Sequence, residues 1–109
     1  MTVEGLLLAR GNPRLPEQAA ELDAWYADVH LGEILSGSAA VRTARSFRAV
    51  DPHAEFRNLA VYELVGEDLG QIVDGILRDG PSRTPTDALA ESGRRLDLYE
   101  LIAARHRGS

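Results

Sequence analysis

Strand, helix, strand, strand, helix, strand: that is the order of signals along this chain. It predicts an α+β fold of the ferredoxin-like type, βαββαβ, an antiparallel four-stranded sheet with two helices on one face. Three observations carry the prediction. Residues 40–50, AVRTARSFRAV, alternate with a period of two, the mark of a strand. Two segments, one on either side of residues 40–65, repeat their apolar residues at helical spacing instead. Between those helices, the turn DPHAEF joins the alternating run to a second β-rich run, RNLAVYELV, as a hairpin.

Residues 2–10, TVEGLLLAR, form a short apolar run closed by the breaker cluster GNPRLP, so a strand is expected there. The first helix is expected from Pro16 to Leu35. Pro16 suits a first turn, and Glu17 and Glu21 favour the positive end of the helix dipole. Leu22, Tyr26, Val29 and Glu33 recur along its buried stripe, and Gly37 is placed to cap it in a left-handed conformation. In the second strand, Val41, Thr43, Arg45 and Phe47 are expected to share one face. The second helix, EDLGQIVDGILRDG, collects Leu69, Ile72, Val73, Ile76 and Leu77 on one side. PSRTPTDALAESG follows as a Pro-punctuated loop, with one helical turn expected at TDALA and a place beside any pocket mouth. RRLDLYELIAA supplies the last strand, whose LYELI echoes VYELV in the third.

Both faces of the later strands are apolar. Leu59, Val61 and Val65 oppose Ala60, Tyr62 and Leu64, and Leu96, Leu98 and Ile102 oppose Tyr99 and Leu101. Two helices on one side leave the other face needing cover, and a second copy of the same sheet provides it, so a homodimer through the sheet face is expected.

Composition narrows the function. At 109 residues the chain is expected to be one domain, 1–109. It contains no cysteine, which excludes disulfides, thiolate catalysis and cysteine–zinc sites. A net charge of −5, with twelve basic residues among seventeen acids, argues against a nucleic-acid partner. The run GLLLA is too short for a signal segment or a bilayer span, so no membrane is expected and the location is read as cytoplasmic. The three histidines, His30, His53 and His106, lack metal-ligand spacing, and no metal or cofactor is expected. Phosphate-cradling glycine loops and G-x-S-x-G are absent.

One stretch stands out. WYADVH, residues 25–30, holds the single tryptophan, one of three tyrosines and one of three histidines. Tyr26 and His30 lie four apart and are expected to meet on one helix face as an acid–base pair, the imidazole titrating near neutral pH. The residues alone favour His30 as a cap on the helix end or a partner of a loop carbonyl, and Trp25 and Tyr26 as core aromatics, which can still form a pocket wall. Glu33 sits on the buried stripe and needs a partner, which Arg45 could supply as a structural ion pair.

WYADVHLGEIL on the first helix, ARSFRAV on the second strand and LAVYELV on the third together resemble the dimeric α/β-barrel superfamily, in its EthD-like branch, whose members carry a W-Y-x-x-x-H-type motif on that helix. The likeness spans nearly the whole chain. It implies a pocket in each subunit between helices and sheet, walled by Trp25 and worked by His30 and Tyr26. Tyr62 and Tyr99 are further candidates from the strands. The superfamily holds cyclases, dehydratases, decarboxylases, isomerases, cofactor-free monooxygenases and members without known activity. The resemblance therefore implies a cofactor-independent proton transfer on a small aromatic or polyketide-like molecule. Its rivals are a cofactor-free monooxygenase and a non-catalytic, stress-associated or ligand-binding barrel.

Overall fold

The computed structural model describes residues 1–108. Strand β1 runs Val3–Gly11, β2 Val41–Arg48, β3 Asn58–Gly66 and β4 Arg95–Glu100. They form one antiparallel sheet in the order β2-β3-β1-β4. Helices α1 (Ala19–Trp25) and α2 (Leu31–Gly37) are joined end to end by a π-helical turn, Tyr26–His30, and α3 spans Leu69–Arg78. The first helical arm and α3 cover the same face, which is the ferredoxin-like α+β arrangement that the order of elements predicts.

The core lies between that face and the helices. Leu7, Tyr62 and Leu64 rise from the sheet to meet Leu22, Tyr26 and Ile34 of the helical arm and Leu69 and Ile76 of α3. The α3 helix starts where expected: Asp68 accepts a hydrogen bond from the Gln71 backbone N–H at 3.1 Å, satisfying one of the four orphan donors of the first turn. Close approach explains Gly5. A β-carbon there would lie 2.5 Å from the Tyr99 carbonyl oxygen and 2.5 Å from Leu69 Cδ1, so a side chain would separate β1 from β4 or push α3 away.

Four local expectations give way. A β-bulge between Val41 and Thr43 turns Val41 onto the helix side while Thr43, Arg45 and Phe47 keep to the other. A pure period of two could not show that extra residue. Gly37 is the last helical residue, and Ser38 caps the helix in an extended conformation, while the positive φ among the described residues belongs to Gly93. The short turn expected at TDALA sits instead at Gly80–Ser82, because the 86–90 segment is drawn out to bond with the β1–α1 loop. Arg14 N–H donates to Ala88 O at 2.7 Å and Ala90 N–H to Asn12 O at 2.9 Å. Strand β4 ends at Glu100, although the Leu101 N–H still donates to Glu4 O at 2.7 Å.

The face away from the helices carries Leu6, Leu8, Leu59 and Val61 with Phe47 and Tyr99 at its flanks, the last two 44% and 55% exposed. Among the described residues, no helix is long and apolar enough to cross a membrane.

Candidate functional site

The π-helical turn is the feature that builds the site. Its backbone closes with the Leu31 N–H donating to Tyr26 O, one residue wider than an α-turn. The wider turn brings Trp25 and His30, five residues apart, toward one side of the helix, and their rings stack 4.3 Å apart at 18°. In an α-helix five residues at about 100° each would leave the two side chains about 140° apart around the axis and spoil the overlap. Tyr26, four residues before His30, meets it edge-on at 5.6 Å, and from the sheet Tyr62 approaches the same imidazole at 6.5 Å.

These four rings wall a cavity of about 750 Å3 between the helical arm, the sheet and the loop after α3. Leu7 and Ala9 floor it, Ile34, Ile76 and Leu77 close its apolar sides, and residues from Gly80 to Thr86 form its rim. Two side chains of the helical arm latch that rim. Trp25 Nε1–H donates to Thr84 O at 3.2 Å, and Glu33 accepts from the Thr84 backbone N–H at 3.0 Å and from its hydroxyl at 2.9 Å.

Burial sets the protonation states. His30 falls from the usual imidazole value to about 4, chiefly because burial disfavours the charged ring; Arg83 adds to the fall and Glu33 opposes it. It is therefore neutral at physiological pH, and the expectation of titration near neutrality is corrected. Tyr62 is pushed well up, first by burial and then by its neighbour Tyr26, with Arg83 opposing. Tyr26 is raised by burial against the pull of Arg94. The buried Nδ1 of His30 has no hydrogen-bond partner among the described residues. A neutral imidazole thus meets two protonated phenols at the cavity wall. That set can accept one proton and donate hydrogen bonds to an oxygen that gains charge.

The expected site residues separate cleanly by strand register. Trp25, Tyr26, His30 and Tyr62 line the cavity. Tyr99 pairs with Leu6 and points to the opposite face of the sheet. Arg45 pairs with Val61 on that same opposite face, where its guanidinium lies 5.5 Å from the Phe47 ring. The Glu33–Arg45 ion pair is corrected accordingly: Glu33 finds its partner in Thr84, across the cavity rim.

Sequence reasoning missed Arg83 and Arg94, which reach the cavity from the loop and from the residue before β4. Arg83 is the lone basic residue of the 81–93 loop, the signal that was there to be used. A second missed group lies outside the cavity. Asp23 of α1 takes Arg57 in a two-pronged pair, 2.8 and 2.9 Å, and accepts from Asn58 Nδ2 at 3.0 Å, tying the helical arm to the start of β3. Arg57 first, with Asn58 and Arg48 helping, holds the Asp23 carboxyl below its ordinary range despite some desolvation.

Solved structures share this architecture. A dimeric protein of unknown function and ferredoxin-like fold from Bacteroides fragilis is 10% identical with a TM-score of 0.59, over 90% of this chain and 96% of that one. A "putative monooxygenase" from Shewanella loihica is 12% identical with a TM-score of 0.58, over 95% of this chain and 99% of that one. A dabb family protein with a ferredoxin-like fold from Mesorhizobium loti is 12% identical with a TM-score of 0.59, over 93% and 99%. No family model matches the chain, and no curated protein matches it. The likeness is one of fold.

Proposed function

We propose that this chain is a small homodimeric enzyme of the dimeric α/β-barrel kind, related to the EthD-like branch through WYADVH. Its reaction is a cofactor-independent proton transfer on a small aromatic or polyketide-like molecule, of the sort that underlies cyclisation, dehydration, decarboxylation or isomerisation. The observation that carries the reading is a neutral His30 lining an aromatic cavity, its Nδ1 buried without a partner among the described residues. Buried polar atoms in folded proteins find partners, and an exception on a ring that lines a cavity points to a role in chemistry or binding.

The chemistry follows from the arrangement. A substrate carbonyl oxygen takes a hydrogen bond from Tyr26 or Tyr62, and His30 removes a proton from the adjacent carbon. The C–H electron pair moves into the C–C bond, the carbonyl electrons move to oxygen, and the enolate is held by the phenols. Return of the proton from His30, at the same or another atom, completes the transfer. The weak basicity of His30 in the free protein also suits a second reading, a barrel that binds such a molecule without turning it over.

Solvent deuterium decides between them. Wild-type protein incubated in D2O with a panel of aromatic ketones and β-keto acids is expected to label the carbon beside the carbonyl. His30→Gln should slow that exchange by about 10²–10⁴-fold. Equal exchange in the two proteins ends the catalytic reading. Binding without exchange establishes the second one. Oxygen uptake with phenolic substrates would move the assignment to a cofactor-free monooxygenase; the Shewanella protein is described only as a "putative monooxygenase".

A further inference from the structure

The charges around this cavity run against the charge of the chain. The protein carries −5 overall, yet Arg83 and Arg94 both face the cavity. Arg83 places Nη2 on the Ile76 carbonyl at 2.6 Å, which fixes the side chain and leaves the rest of its fork of donors free. The arginines in ion pairs among the described residues are others: Arg10, Arg42, Arg48, Arg57 and Arg95. Arg10, at the edge of the lining, belongs by register to the other face of the sheet and is neutralised there by Asp97 at 2.7 Å. Glu91 is the carboxylate in the lining, while Glu33 keeps its charge on the rim, bonded to Thr84. Among the lining residues a single net positive charge is left over.

We propose that the cavity selects a monoanionic ligand, an aromatic or similarly flat molecule bearing one carboxylate, with its apolar body against Trp25 and Tyr26 and its carboxylate on Arg83 and Arg94. Arginine presents donors in a planar fork that matches a carboxylate. One surplus charge fits one negative charge better than the two of a phosphate, and the chain has no glycine loop to cradle a phosphate. An anion bound here would also offset the field of Arg83 at His30 and restore part of its basicity. The proposal rests on reading this cavity as the working site, but not on catalysis.

Calorimetric titration of the full chain near neutral pH and low salt, with naphthaleneacetate and its uncharged carboxamide, tests it. The acid should bind about tenfold or more tightly than the amide. Arg94→Gln, at an exposed position, should remove most of that preference and leave the amide unchanged. Arg83→Gln should do the same, and if its lost bond to Ile76 unsettles the fold, Arg94→Gln still gives the answer. Equal binding of acid and amide overturns the proposal. So does a preference that survives both substitutions, tighter binding of naphthyl phosphate, or no binding of either probe at millimolar concentration. Deuterium exchange can fail while the acid preference stands, and the reverse, so the two readings fall separately.

Discussion

His30 is the residue on which the pH behaviour of the protein turns. Its folded value of about 4 lies below the ordinary 6.5, so the unfolded chain binds the proton more readily. The stability associated with the neutral ring is fully present above pH 6.5 and is lost as pH falls toward about 4. Asp23 loses its contribution at lower pH, below its unperturbed 3.8, so the two effects occupy different windows. Thermal melts of wild type and His30→Gln across the upper window should therefore diverge, the variant showing the flatter profile. In catalysis, kcat/KM reports the free protein and should fall on the acid side near about 4, in place of the near-neutral limb that the sequence suggested. An acid limb near neutrality, lost in His30→Gln, would show that the imidazole is solvated. The residue identities were legible in WYADVH; the protonation state was not, because it is set by burial in the folded core, where Tyr62 approaches the ring, and by the charge of Arg83, both remote in sequence.

Elements differ in how much their sequence reveals. Strand and helix periods placed every strand and both helical arms, since a half-buried surface imposes its period on the residues that cover it. The π-helical turn leaves no such trace. Its apolar spacing reads as α-helical, and the extra residue shows only as the stacked Trp25 and His30. The Val41–Thr43 bulge is hidden in the same way. Close approaches between elements are equally silent, and they yield a graded prediction. Gly5→Ala sets a β-carbon 2.5 Å from the Tyr99 carbonyl, which is fixed by the sheet, and should cost about 1–3 kcal/mol. Gly66→Ala meets Ile72 Cδ1 at 2.6 Å, the far end of a flexible side chain, and should cost less. Chemical denaturation of both variants checks the order. Asp23→Ala cuts the link between α1 and β3 and strands the amide of Asn58, which is 2% exposed, so about 2 kcal/mol should go with it.

At the scale of the whole molecule, the open face of the sheet remains to be accounted for. Leu6, Leu8, Leu59 and Val61 form its centre, and the exposed Phe47 and Tyr99 extend it across both edge strands. Four strands about 4.8 Å apart and roughly 25 Å long give a face on the order of 500 Å2, already beyond the usual scatter of single exposed apolar residues. Several polar groups on it are bonded among themselves, with Thr43 on Glu63 and Arg10 and Arg95 both on Asp97, and Arg45 lies over the Phe47 ring. The apolar centre of such a face is matched by an apolar surface, and a second copy supplies one by two-fold symmetry. At about 25 cal/mol per Å2, covering the face on both copies amounts to tens of kcal/mol before the cost of association, enough for a dimer at micromolar concentration. Light scattering of the wild type should accordingly give twice the 11.9 kDa of the chain. Phe47→Glu with Tyr99→Glu changes two positions that a monomer already exposes. The double variant should therefore keep its circular dichroism and its melting transition in dilute solution while scattering as a monomer. A wild type that scatters as a folded monomer at micromolar concentration rules the sheet-to-sheet dimer out. An unchanged dimer in the double variant would place the interface elsewhere on the molecule.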